Sequence, residues 1–233
     1  MKLEAQALFF ALSGGVLPAI LWLWFWLKED STDPEPRGLI VITFLAGIVA
    51  VVLVLPFQKV VYSYLQNYTV IMFILWALIE EVFKYFAAYI AALRNKAVDE
   101  PIDMIIYMVT AALGFVALEN TLFLINPLIT GNVVDSIVTG NLRFIGTSLL
   151  HIISSATVGI FMAFSFYSSK QTKRISLWCG LALSILLHTL FNLSIIEENG
   201  NQTFITFSVL WISVVALLLC FEKIKRFNLE HRT

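Results

Sequence analysis

The sequence predicts an all-α fold: a polytopic transmembrane helical bundle of about seven spans, forming one domain over residues 1–233, with the N-terminus outside and the C-terminus cytoplasmic. Three observations predict it. Of the 233 residues, 59% are hydrophobic and only 13% are charged, with a mean hydropathy of +0.86, which leaves too few polar groups to cover a soluble core. Runs without Asp, Glu, Lys or Arg at 5–27, 38–58, 144–169, 175–196 and 199–221 approach or exceed the ~20 residues a helix needs to cross a hydrocarbon core. The cations are distributed unevenly. Lys28, Arg37, Arg94, Lys96, Lys170, Lys173, Arg174, Lys223, Lys225, Arg226 and Arg232 fall on one side of the predicted spans, against Lys2, Lys59 and Arg143 on the other, and the richer side is cytoplasmic by the positive-inside rule.

The predicted spans are 5–27, 39–60, 69–93, 103–126, 143–167, 175–196 and 204–222. The first has Lys2 before it, ends in WLWFWL and lacks a small-residue cleavage pattern, so it reads as a retained helix. The loop after it, KEDSTDPEPRG, is acidic and proline-punctuated, which predicts an extended, solvated linker. Connections elsewhere are short, which excludes a soluble domain. Cys179 and Cys220 both lie inside predicted spans, where small apolar packing residues are expected rather than a disulfide. A net charge of −1 gives no reason to expect a nucleic-acid partner. The expected surroundings are the lipid bilayer of a prokaryotic cytoplasmic membrane.

The third span, LWALIEEVFKYFAAYIAAL, breaks the apolar pattern with Glu80, Glu81 and Lys84. A charge near the bilayer centre costs roughly 2.5–3.5 kcal/mol on an insertion scale, so an intramembrane ionisable residue signals function. Other spans add Glu119, His151, His188 and Asn192. Helical i, i+4 spacing aligns His151, Ser155, Gly159 and Ala163 on one stripe, and Gly180, Ser184, His188 and Asn192 on another. Small residues mark faces where membrane helices approach closely, which turns both histidines toward the interior. Glu80, Lys84, Ala88 and Ala92 form a comparable line, and Glu119 shares a face with Phe115 and Ala111. From the helical rise, Glu80 lies ~18 Å below the outer end of its span, and Glu119, His151 and His188 roughly 10–12 Å below theirs. Four helices thus present polar groups near one level between the outer surface and the midplane.

Two adjacent carboxylates resist simultaneous ionisation, while a neighbouring ammonium favours the charged form of whichever it reaches. Lys84 therefore sets Glu80 and Glu81 apart, one anionic and one exchanging protons. Either carboxylate could deprotonate a water for attack on a peptide carbonyl, with His151 and His188 positioning the water or the oxyanion, and the Asn192 amide donating to the oxyanion. Adjacent helical residues point about 100° apart, which leaves the identity of the base open. If a metal such as Zn²⁺ participates, Glu80, Glu81, His151 and His188 are the candidate ligands, although the chain has no His-Glu-x-x-His motif.

Glu80-Glu81-x-x-Lys84, Phe115-x-x-x-Glu119-Asn120, His151 with Ser155, and His188-x-x-x-Asn192, in that order on separate helices, resemble the PrsW family of intramembrane proteases, related to the CAAX prenyl proteases and bacteriocin-processing membrane proteins. The Asp33-Pro34-Glu35-Pro36 loop is also similar to the family. The resemblance implies cleavage of a single-span membrane protein, an anti-sigma factor cut on its extracytoplasmic side being the known example. The CAAX proteases carry Glu-Glu-x-x-x-Arg and Phe-x-x-x-His, where this chain has Lys84 one position earlier and Glu119 for the histidine. A glutamate-activated water without a metal is the favoured expectation. The alternative from another class is an ion-coupled transporter whose Glu, His and Lys form a proton relay. No inverted repeat or pair of Gly/Pro-broken helices supports it.

Overall fold

In a bilayer every backbone polar group needs an internal partner, so apolar runs of this length have only the helix available. The structure, a computed structural model, describes residues 2–29, 33–130, 146–196 and 200–232. These residues form seven α-helices: α1 (Lys2–Glu29), α2 (Arg37–Leu65), α3 (Thr69–Ala88), α4 (Asp103–Ile129), α5 (Ser148–Phe164), α6 (Lys170–Ile196) and α7 (Gly200–Arg232). A π-helical turn, Tyr89–Leu93, continues α3. By length and composition α1, α2, α4, α6 and α7 are able to cross a membrane. The shorter α5 is apolar, while α3 carries Glu80, Glu81 and Lys84 within its 20 residues. Arg143 and the first residues of the predicted fifth span lie outside the described residues.

The spans run longer than their apolar cores. Helix α6 begins at Lys170 and α7 reaches Arg232, because Lys and Arg stems extend into the interface and let a helix continue past the hydrocarbon. Helix α4 is the central post, packed against α1, α2, α3 and α5, with Ile105, Tyr107, Met108, Leu113 and Val116 wholly or almost wholly buried. Large apolar side chains such as Phe9, Trp24, Val52 and Leu219 are exposed on the outer helices, a pattern that suits lipid contact.

The crossing of α2 and α4 depends on two glycines. A Cβ on Gly47 would overlap the Ala111 carbonyl, and one on Gly114 would overlap the Phe44 carbonyl. Backbones this close gain dispersion contacts that replace the hydrophobic drive missing inside a bilayer. Likewise, a Cβ on Gly159 of α5 would lie 2.7 Å from Ile105 Cα of α4, so the stripe carrying His151 faces the central helix, as its small residues predicted.

Two expectations need correction. Glu35 of the proline-punctuated loop is not solvated: it is buried, and the Tyr107 hydroxyl of α4 donates to its carboxylate. A carboxylate tolerates such burial when hydrogen-bonded, so the loop is anchored to α4. Cys179 is an exposed free thiol rather than a packing residue, and Cys220 is free and partly buried.

Candidate active site

One face of α3 forms the wall of the site. Glu80 is 5% exposed, and Glu81 and Lys84 are fully buried. With α2, α4, α5 and α6 around it, α3 keeps both carboxylates inside even though they point in different directions.

The two glutamates have opposite surroundings. Glu81 is saturated: its Oε1 accepts from Lys84 Nζ at 2.7 Å, Ser154 Oγ at 3.0 Å and His188 Nδ1 at 2.8 Å. Its Oε2 accepts from Ser155 Oγ at 3.2 Å and Ser184 Oγ at 2.9 Å. Five donors from three helices compensate the desolvation of this carboxylate and fix its position. Glu80 Oε1 accepts from Gln58 Nε2 of α2 at 2.8 Å. Glu80 Oε2 is buried without a hydrogen-bond partner, 3.7 Å from Lys84 Nζ and 3.6 Å from His188 Nε2.

The histidines are oriented by their neighbours. His188 gives its Nδ1 hydrogen to Glu81, which leaves the Nε2 lone pair directed toward Glu80. A carboxylate on one ring nitrogen fixes the tautomer and the ring orientation. His151 Nδ1 accepts from Lys84 Nζ at 2.5 Å, and its Nε2 donates to Glu119 Oε2 at 3.0 Å. The His151 and His188 rings meet edge to face with centroids 5.0 Å apart. Phe115 closes one side, its ring centroid 4.6 Å from the Lys84 ammonium, a favourable cation–π arrangement.

Six of the seven residues singled out in the sequence therefore form one connected cluster. Asn192, one turn beyond His188, is half-buried and makes no hydrogen bond to the cluster among the described residues. Three participants had little or no signal. Ser154 is one position off the His151 stripe, Gln58 lies in the polar tail of α2, and Trp76 Nε1 donates to the Gln58 carbonyl at 3.1 Å. Ser155 and Ser184 share the two histidine stripes and were visible there as small residues.

Glu80, His151 and His188 each offer one ligand atom, all within 4.8 Å of one another. Two imidazoles and a carboxylate with an unpartnered oxygen are chemically suited to Zn²⁺. Glu81 is not in that group, and both of its oxygens accept hydrogen bonds.

A bundle of apolar helices enclosing buried glutamates, histidines and a lysine defines a polytopic integral membrane protein with an internal polar site. The model of the PrsW family intramembrane metalloproteases matches residues 35–219, and the chain belongs to that family. Protease PrsW of Oceanobacillus iheyensis is 29% identical over 226 residues, covering 93% of this chain and 95% of its own. Protease PrsW of Geobacillus kaustophilus is 28% identical over 190 residues, 79% of each chain, and that of Bacillus subtilis is 29% identical over 191 residues, 78% of this chain and 80% of its own. No solved structure matches. The chain is thus a membrane protease by family, and its matched region contains every residue of the cluster.

Proposed function

We propose that this protein is an intramembrane endopeptidase that hydrolyses a peptide bond of a single-span membrane protein, with Glu80 activating the water. The observation that carries the reading is the contrast between the two glutamates: Glu81 accepts from five donors, whereas Glu80 keeps a buried, unpartnered oxygen facing His188 Nε2. A carboxylate base needs a free lone pair at the reaction point, and of the two glutamates only Glu80 has one.

Glu80 Oε2 takes one proton from a water as the water oxygen bonds to the peptide carbonyl carbon. His188 Nε2 accepts a hydrogen bond from the same water and orients it. The Lys84 ammonium, 3.7 Å from Glu80 Oε2, stabilises the negative charge that moves to the carbonyl oxygen. The Asn192 amide, uncommitted within the cluster, donates to that oxygen or to the adjoining substrate backbone. A donor placed for the oxyanion contributes about 2.7–4 kcal/mol. The proton on Glu80 then passes to the departing amide nitrogen as the C–N bond breaks. Glu119 holds the His151 ring, and Glu81 holds Lys84 and His188.

The donor set Glu80, His151 and His188 fits a divalent metal, and these three residues would hold it. Such an ion would supply Lewis-acid polarisation and a more acidic water. Lys84 already places positive charge at this point, 2.5 Å from His151 Nδ1, which favours the carboxylate as the water-activating group. Metal analysis of the purified protein, with cleavage of a tagged single-span substrate measured before and after chelation, tests the reading. The expected result is cleavage that survives chelation without stoichiometric metal. Loss on chelation with recovery on adding Zn²⁺ overturns the metal-free step, and no cleavage under any condition overturns the protease reading.

A further inference from the structure

A second cavity lies away from the glutamate cluster, at the cation-rich end of the bundle. It encloses about 300 Å³ between the π-helical turn after α3 and the first turns of α6, with α4 and α5 behind. This matches the lower end of ligand-sized pockets. Its walls are mostly apolar and include Tyr85, Tyr89, Met162 and Leu177, while Lys173 and Arg174 stand at the rim. Tyr89 is 39% exposed, and Lys173 and Arg174 are also exposed, so the cavity is reachable from outside the protein. No acidic side chain lines it. Neither cation has a carboxylate partner among the described residues; Lys173 instead sits over the Phe166 ring at 5.3 Å.

The backbone is shaped for this opening. The helix that begins as α3 ends in the π-helical turn Tyr89–Leu93, and both Tyr89 and Leu93 face the cavity. Tyr85 and Tyr89 stack with centroids 5.7 Å apart, a pair suited to the membrane interface, where one edge of the ring is dry and the other wet.

We propose that this cavity binds one anionic glycerophospholipid of the cytoplasmic leaflet, with an acyl chain lying along Tyr85, Met162 and Leu177 and the headgroup phosphate held by Lys173 and Arg174. Charge complementarity selects this occupant. Two cations without a carboxylate partner among the described residues, over an apolar slot, match an anion joined to a hydrocarbon chain, and a free phosphate would leave the slot unused. The cation-rich end faces the cytoplasm by the positive-inside rule, where anionic lipids attract basic side chains at about 1 kcal/mol each. The proposal is independent of how the glutamate cluster works.

The test is native mass spectrometry of the full chain released from nanodiscs containing equal amounts of dioleoyl phosphatidylglycerol and dioleoyl phosphatidylcholine. These lipids share acyl chains and differ in headgroup charge. Wild type should retain phosphatidylglycerol about thirty-fold over phosphatidylcholine, as two cations at about 1 kcal/mol each imply. In the Lys173→Gln, Arg174→Gln double variant the preference should fall to near parity. Leu177→Trp, which fills the slot, should lower retention of both lipids. Lys96→Gln, an exposed cation at the same end but outside the cavity, should change nothing. If the double variant does not fold, the single variants should each lose about fivefold. An unchanged preference in the rim variants, or an equal loss in Lys96→Gln, overturns the proposal, the latter by assigning the preference to the general positive field.

Discussion

The Lys84 ammonium and the Glu81 carboxylate meet at 2.7 Å with neither side chain exposed to any degree. Opposite charges buried together hold position only when the rest of their hydrogen-bonding capacity is also met. Here three serines, Ser154, Ser155 and Ser184, and His188 complete Glu81, while His151 and Glu80 flank Lys84. The pair therefore serves as the fixed frame on which the reactive groups are mounted.

Removing one partner leaves an uncompensated buried charge. Lys84→Met should cost about 3–5 kcal/mol of stability, read as a fall in the melting temperature in detergent and lower accumulation in membranes. The double variant Lys84→Met, Glu81→Gln should recover much of that loss while remaining inactive. Equal destabilisation of the single and double variants would contradict the frame role.

Gln58 should matter although it lies at the far end of α2. Its amide is the one side-chain donor on Glu80 Oε1 among the described residues, and a hydrogen bond to a charged group contributes about 1.5–3 kcal/mol. Gln58→Leu should lower kcat roughly ten- to hundred-fold and lower the melting temperature as well, by the loss of that hydrogen bond. A wild-type kcat would show that Glu80 is positioned by other groups.

Glu119→Gln tests the orientation of His151. The change keeps an acceptor near His151 Nε2 but removes the negative charge that now lies 3.0 Å from it. Partners of this kind typically account for 10- to 100-fold in activity or metal affinity, so cleavage should drop within that range, and Glu119→Leu should drop further. Indifference to both substitutions would remove Glu119 from the site's working set.

Packing reaches the site through α2. Gly114→Leu forces the α2–α4 crossing apart, because a Cβ at this position would overlap the Phe44 carbonyl oxygen. Overpacking of this kind costs about 1–3 kcal/mol or more, and α2 carries Gln58. Stability and cleavage should fall together. Retained stability with retained cleavage would mean that the crossing is not tight.

Much of the site was legible because small residues betray inward faces. Gly159 and Ala163 mark the His151 stripe, and Gly180 and Ser184 mark that of His188; both histidines are buried, at 1% and 2% exposure. The division of labour between Glu80 and Glu81 was not legible, since it depends on which donors from other helices arrive at each oxygen. Gln58 escaped notice because Gln-Lys at the end of an apolar run reads as an ordinary interfacial ending. Glu35 was misread for a related reason: an acidic proline-rich loop looks solvated until Tyr107, 72 residues away, supplies a buried donor. Asn192 shows the converse limit. Its register on the His188 face was evident, yet the face alone did not bring it into the hydrogen-bonded cluster.

The most direct test of the account compares Glu80→Gln with Glu81→Gln, each purified and co-reconstituted with a tagged single-span substrate, with cleavage and melting temperature measured side by side. Glu80→Gln should fold as well as wild type and lose cleavage by about 10²- to 10⁴-fold, whereas Glu81→Gln should lose stability as well as cleavage. Wild-type cleavage by Glu80→Gln would contradict the assignment of Glu80 as the group that activates water.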